Sequence, residues 1–193
     1  MILLFALLLA YVVGSIPTGW LIARALGVKD IKSVGSGNIG ATNVARVCGW
    51  HWFLVVFLLD GAKAYLTLLV ASRYSITFSE LLLIAFTILL GNTFSLFLNF
   101  RGGKGVATFL GILLFIQPHT AVVLLAWWLL FVLLFRTVGI ASVCMVILFP
   151  VYCIYNGCPS LLILFSVGVS GLIIWLHRKN MYQYLLHGKR INQ

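Results

Sequence analysis

Residues 120–155 read TAVVLLAWWLLFVLLFRTVGIASVCMVILFPVYCIY and contain a single charged side chain, Arg136. A helix that crosses a membrane needs about 20 apolar residues, within a range of about 17–25. The runs on either side of Arg136-Thr137 approach that length, so this stretch reads as two membrane spans joined by a tight turn. Working outward, further apolar runs cover roughly 2–24, 52–72, 81–98, 105–117 and 160–176. The run at 105–117 is short for a full crossing, which suits a tilted or partly re-entrant segment. The expected fold is an all-α polytopic membrane protein, one domain over residues 1–193 with seven transmembrane helices. Six helices with one re-entrant segment is the alternative.

Composition agrees. Of 193 residues, 63% are hydrophobic and 8% charged, against about 45–50% and about 25% in soluble domains. So few charges cannot coat a soluble fold of this size. The same figures exclude a disordered chain, a coiled coil and a secreted disulfide scaffold. The N-terminal Met1-Ile2-Leu3-Leu4-Phe5 lacks the basic start of a signal peptide, and its apolar run continues past Ala23. It is expected to be a retained first span.

The formal net charge of +10 would invite a nucleic-acid reading in a soluble protein. Here it reads as topology, because Lys and Arg stay on the cytoplasmic side of membrane proteins. With the N-terminus outside and the C-terminus cytoplasmic, Arg24, Lys29, Lys32, Arg46, Arg101, Lys104, Arg136, Arg178, Lys179, Lys189 and Arg190 all fall inside. Only Arg73 then falls outside, while Lys63 sits within a span beside Asp60.

Cys48, Cys144, Cys153 and Cys158 contain no CxxC pair and read as small apolar residues. A Cys153–Cys158 bridge across a short loop stays open. His51, His119 and His187 have no evident partner in the sequence and read as interfacial.

Two loops are rich in polar groups. Residues 25–51 read ALGVKDIKSVGSGNIGATNVARVCGWH, and residues 99–108 read NFRGGKGVAT. Glycines such as Gly37, Gly40, Gly102, Gly103 and Gly105 let backbone N–H groups converge into a concavity that accepts anionic oxygens. Ser36, Asn38, Thr42 and Asn43 add side-chain donors, and Arg46 and Lys104 add charge. Either loop alone is equally a tight turn with topogenic cations. Together, on one expected side, they point to an anion-binding pocket at the cytoplasmic face, for phosphate or another compact oxyanion. Asp60 and Lys63, at i and i+3, are either a self-neutralising pair or an added field on that pocket. His177-Arg178-Lys179-Asn180 reads by composition as a lipid anchor. A transporter of a small phosphorylated anion and a catalytically silent relative remain alternatives to an enzyme.

The motifs also resemble a known family. Gly14-Ser15-Ile16-Pro17-Thr18-Gly19, then Gly35-Ser36-Gly37-Asn38-Ile39-Gly40-Ala41-Thr42-Asn43-Val44 with Arg46, is similar to the acyl-phosphate:glycerol-3-phosphate acyltransferases of the PlsY type. Phe100-Arg101-Gly102-Gly103-Lys104-Gly105-Val106-Ala107-Thr108 resembles their second motif, and His177-Arg178-Lys179-Asn180 opens their third. The resemblance implies seven membrane helices in a bacterial inner membrane. It implies acyl transfer from acyl phosphate to the sn-1 hydroxyl of glycerol 3-phosphate, giving lysophosphatidic acid and inorganic phosphate. No cofactor, metal, nucleic acid or obligate protein partner is implied.

On that resemblance Ser36, Arg46, Asn92, Lys104 and Asn180 form the catalytic set. Gly37, Asn38, Gly40, Thr42, Asn43, Lys63, Gly102, Gly103, Gly105, Ser142 and His177 bind substrate or its phosphate. No Ser–His–Asp set or base-paired cysteine is visible, which argues against a covalent acyl-enzyme. The chain departs from the family at Asn92 and Ser95, where the motif has His and Pro, at Ala64 and at Gln183, and beyond Leu186 the motif's Gly is shifted to Gly188 and its closing Glu is absent. Asn92 can hydrogen-bond but cannot exchange a proton near neutral pH.

Overall fold

The computed structural model describes residues 1–74 and 76–187, so Gly188, Lys189 and Arg190 lie outside the described residues. Two compact units follow one another along the chain, one covering Met1–Ile116 and the other beginning at Gln117. Six helical stretches are long and apolar enough to cross a membrane: Ile2–Ala25, His51–Ala71, Phe78–Leu98, Pro118–Phe135, Val138–Tyr155 and Ser160–Leu186. Val106–Ile116 is a shorter apolar helix, at the position where the apolar run is too short for a full crossing.

In the first unit, α1 (Ile2–Ser15) and α2 (Thr18–Ala25) divide what the sequence reading treats as one helix. The break lies at Ile16-Pro17, because proline has no N–H and disfavours helical backbone in the residue before it. The polar insert is also more ordered than a loop reading suggests. It contains a short 3-10 turn at Ile31–Ser33 and the helix α3 (Ala41–Cys48). Ala23, Ile31 and Ile39 bury together against Trp20, Val28 and Leu98, so an apolar seam runs beneath the polar surface.

Helices α4 (His51–Ala71), α5 (Phe78–Thr93) and α6 (Val106–Ile116) complete this unit. A full capping box starts α5, with the Thr77 hydroxyl and the Glu80 carboxylate each accepting the other residue's backbone N–H. Helix α1 lies along α5, and α4 along α6. Small residues permit both contacts: a Cβ at Gly14 would overlap the Ile88 carbonyl, and one at Gly111 would overlap the Gly61 carbonyl.

The second unit contains α7 (Pro118–Phe135), α8 (Val138–Tyr155) and α9 (Ser160–His187), with α7 packed on α8 and α8 on α9. The Ser170 hydroxyl donates to the Val146 carbonyl at 2.6 Å, joining α8 to α9. Helix α9 has 28 residues, which at about 1.5 Å per residue exceeds a hydrocarbon core of about 30 Å. All four cysteines are free thiols.

Candidate active site

The break at Pro17 has a chemical result. Outside a regular helix, the Ile16 carbonyl accepts a hydrogen bond from Lys63 Nζ on α4 at 3.0 Å. Lys63 Nζ also lies 2.7 Å from Asp60 Oδ1 and donates to Asn92 Oδ1 on α5 at 2.8 Å. An ammonium has three N–H groups, so these partners occupy all of them. The Asp60 carboxylate takes a further hydrogen bond from the Thr18 hydroxyl at 2.6 Å. The sequence reading leaves Lys63 between a self-neutralising pair with Asp60 and an added field on the substrate pocket; in the fold it pairs with Asp60 and braces α1, α4 and α5 through Asn92.

Asn92 is 7% exposed and carries the brace into the second glycine loop. Its carbonyl accepts the Gly103 N–H at 2.9 Å, and the Thr93 carbonyl accepts the Gly102 N–H at 3.0 Å. These are carbonyls of the last turn of α5, which a helix cannot satisfy internally. Gly102 has to be glycine for this approach, since a Cβ there would overlap the Asn92 carbonyl oxygen. The sequence reading assigns Gly102 and Gly103 to an anion-binding backbone. Their amides are instead engaged with α5, because the loop folds back onto the helix that precedes it.

Asn99 and Phe100 turn the chain with left-handed φ of 53° and 58°. Ser95, standing where the family motif has proline, donates its hydroxyl to the Ser15 carbonyl at 2.5 Å, and Ser15 Oγ accepts the Leu96 N–H. Tyr11 Oη donates to the Phe94 carbonyl at 2.7 Å. The loop is therefore pinned at both ends, and Lys104 projects from it half-buried. Burial pulls the Lys104 ammonium down to about 8 from the usual 10.5. Just inside α6, Thr108 is fully buried, and its hydroxyl has no hydrogen-bond partner among the described residues. In the sequence Thr108 stands out only as part of a motif.

Asn43 orders the first glycine loop. Its Oδ1 accepts the Ser36 N–H at 2.8 Å, and its Nδ2 donates to the carbonyls of Ile31 and Val34 at 3.3 and 3.0 Å. Asn43 is buried at 1% exposure, so it shapes the loop from within and does not project as a surface donor. Ser36, Gly37 and Arg46 are exposed, whereas Asn38, Gly40 and Thr42 are half-buried at the entry to α3. Gly35 lies against Asn43, with its Cβ position 3.6 Å from Arg46 Cδ. Ser36 and Arg46 therefore belong to one surface.

The two loops meet. Lys32 Nζ donates to the Leu98 carbonyl at 3.3 Å. Burial lowers the Lys32 ammonium below its usual range, Asp30 opposes that, and neighbouring Arg101 adds to the lowering. A concentration of cations therefore forms at one end of the first unit.

In the second unit, Ser142 is buried, accepting from Trp128 Nε1 at 3.0 Å and donating to the Val138 carbonyl at 2.8 Å. His177 is 3% exposed. Its Nδ1 lies 2.8 Å from the Ile173 carbonyl, which accepts only, so the proton sits on Nδ1. Asn180 packs on Gly139, whose Cβ position is 3.3 Å from Asn180 Cβ. Ser142 follows Gly139 by three residues and Asn180 follows His177 by three, so each pair shares a helix face. Among the described residues no group of three or more His, Cys, Asp or Glu is placed to hold a metal ion.

The family described as Glycerol-3-phosphate acyltransferase matches residues 4–188. Glycerol-3-phosphate acyltransferases of Thermus thermophilus and Aquifex aeolicus are 43% and 36% identical, covering 92% and 94% of this chain and 88% and 95% of their own. The crystal structure of PlsY (YgiH), an integral membrane glycerol 3-phosphate acyltransferase, in its glycerol 3-phosphate form aligns with a TM-score of 0.90 at 36% identity. It covers 97% of this chain and 93% of its own. Its lysophosphatidic acid form aligns with a TM-score of 0.88 at 35% identity. The chain belongs to the glycerol-3-phosphate acyltransferase family of integral membrane enzymes.

Proposed function

We propose that this enzyme moves a fatty acyl group from acyl phosphate to the sn-1 hydroxyl of glycerol 3-phosphate, releasing lysophosphatidic acid and inorganic phosphate. The new bond joins the sn-1 oxygen to the acyl carbon, and the bond from that carbon to the phosphate oxygen breaks. The hydroxyl proton passes to a substrate phosphate oxygen. The donor is already an activated anhydride, so positioning and electrostatic stabilisation of the departing phosphate supply the acceleration. Membership of the family supports the acceptor and product, and the resemblance of the motifs supports the acyl phosphate donor.

The observation that carries the site assignment is the tether between the loops, Lys32 Nζ to the Leu98 carbonyl. It supports a surface on which Ser36 and Arg46 hold one phosphoryl head and Lys104 faces the other, with the Thr108 hydroxyl close by in sequence. Lys63 and Asn92 act as positioning residues for the Lys104 loop. Ser142, His177 and Asn180 keep their assignment to substrate on the motif match alone. The distribution of Lys and Arg supports an outside N-terminus, a cytoplasmic C-terminus, seven crossings and a place in the bacterial inner membrane.

The test is an assay of detergent-purified protein with palmitoyl phosphate and labelled glycerol 3-phosphate. Labelled lysophosphatidic acid should form, and its formation should collapse in Lys104→Ala, and in Arg46→Ala when glycerol 3-phosphate is kept below its KM. Formation with palmitoyl-CoA but not palmitoyl phosphate would overturn the donor assignment. Unchanged turnover in both variants would overturn the site.

A further inference from the structure

We infer that Cys153 and Cys158 form a thiol–disulfide pair at the α8–α9 turn, oxidised by a disulfide-bearing molecule that enters the cavity beside it. The backbone brings the two thiols together. Helix α8 ends at Tyr155; the Gly157 N–H bonds to the Ile154 carbonyl, and the Cys158 N–H bonds to the Cys153 carbonyl at 2.9 Å. Gly157 takes a left-handed φ of 62°. This double bond pattern around a left-handed glycine is the Schellman motif, in which the side chain after the glycine contacts the one three residues inside the helix end. In most proteins that contact is a pair of apolar side chains. Here both are cysteines, at the two positions that this motif brings together.

The two sulfurs differ in access. Cys153 is fully buried, whereas Cys158 is half-buried and lines a cavity of about 300 Å³ with Gln117, His119 and Tyr152. His119 Nδ1 lies 2.9 Å from the Tyr152 hydroxyl, which closes one wall. Cys158 is therefore the attacking thiol and Cys153 the resolving one. The Cys158 sulfur attacks one sulfur of the incoming disulfide, forming a mixed disulfide and releasing one thiol. The Cys153 sulfur then attacks the Cys158 sulfur and releases the second thiol. Two electrons pass to the oxidant, and the two cysteine protons end on the released thiols.

The turn Asn156-Gly157-Cys158-Pro159 carries no charge and lies at the opposite end of α8 from Arg136. On the orientation proposed above it faces outward, into the compartment where disulfides persist. That placement rests on the orientation; the pairing does not.

The full chain carrying Cys48→Ser and Cys144→Ser, purified in detergent, is treated with oxidised glutathione, and remaining thiols are then alkylated. The expected product has lost two hydrogens, carries neither glutathione nor an alkyl group, and yields a linked Cys153–Cys158 peptide after digestion. Adding Cys153→Ser should leave one glutathione on Cys158. Alkylation of both thiols after the treatment, or two stable glutathione adducts, overturns the pairing. Acid-quenched alkylation of growing cells separates the two parts. A linked pair supports the outward placement. A pair that closes in detergent yet is reduced in cells overturns the placement and leaves the chemistry standing.

Discussion

The two glycine loops of the first unit have similar composition, yet they are ordered in opposite ways. In the loop before α3 a side chain does the work: Asn43 gathers the Ser36 amide and the Ile31 and Val34 carbonyls, leaving Ser36 and Arg46 at the surface. In the loop before α6 the main chain does it, through the Gly102 and Gly103 amides and the carbonyls ending α5. Lys104 projects from that frame and is half-buried. The difference implies a division of labour. An exposed guanidinium suits capture of a soluble anion, whereas a partly desolvated ammonium gives a stronger field where charge develops.

The sharpest way to break this comparison is to remove each cation in turn. Lys104→Ala should lower kcat by about 10²–10³-fold, the size of an electrostatic stabiliser lost from an active site. Arg46→Ala should act mainly on KM for glycerol 3-phosphate, by about 10–100-fold, since a charge-assisted hydrogen bond is worth about 1.5–3 kcal/mol. Steady-state assays varying each substrate decide the matter. Equal effects of the two variants on kcat would erase the division.

Asn43→Ala probes the frame of the first loop. It removes a side-chain acceptor and donor used three times and should cost about 1–3 kcal/mol of local stability. Hydrogen exchange over residues 31–40 should rise, while exchange over 99–105 stays as in the parent. A rise in both would mean that the loops share one frame.

The smallest effect is in pH. Lys104 binds its proton less tightly in the fold, at about 8 against 10.5, so activity that needs the ammonium should halve near pH 8 and go on falling as pH rises. Stability should move the other way. Between those two values the unfolded chain holds a proton that the folded chain has lost, so the contribution of this group to stability rises with pH. Lys104→Arg should remove the alkaline loss of activity, because guanidinium stays charged there. An alkaline limb unchanged in Lys104→Arg would assign it to another group.

Much of the fold is legible in the sequence because hydropathy reports directly on membrane spans. Six of the seven expected runs correspond to helices of crossing length, and the short run is α6. Residues 2–24 mislead, because hydropathy is blind to a break that leaves every side chain apolar; Pro17 is the visible signal. In the site, the cations and glycines can be named from composition, but not who satisfies whom. Lys63 reads equally as a partner of Asp60 and as a ligand, because a sequence does not display the Ile16 carbonyl. Asn43 looks like a surface donor because a sequence does not display the backbone groups that it ties. Thr108 carries no signal beyond its place after Lys104.

Only three acidic residues occur in the whole chain, Asp30, Asp60 and Glu80. Asp60 alone is assigned to counter an ammonium deep in the bundle, and the Ile16 oxygen supplies what a second carboxylate would otherwise provide. An interrupted helix thus lends a dipole to its neighbour without adding a formal charge. By this thrift the bilayer segment houses a cation, and the lipid-facing exterior need contain no additional anion.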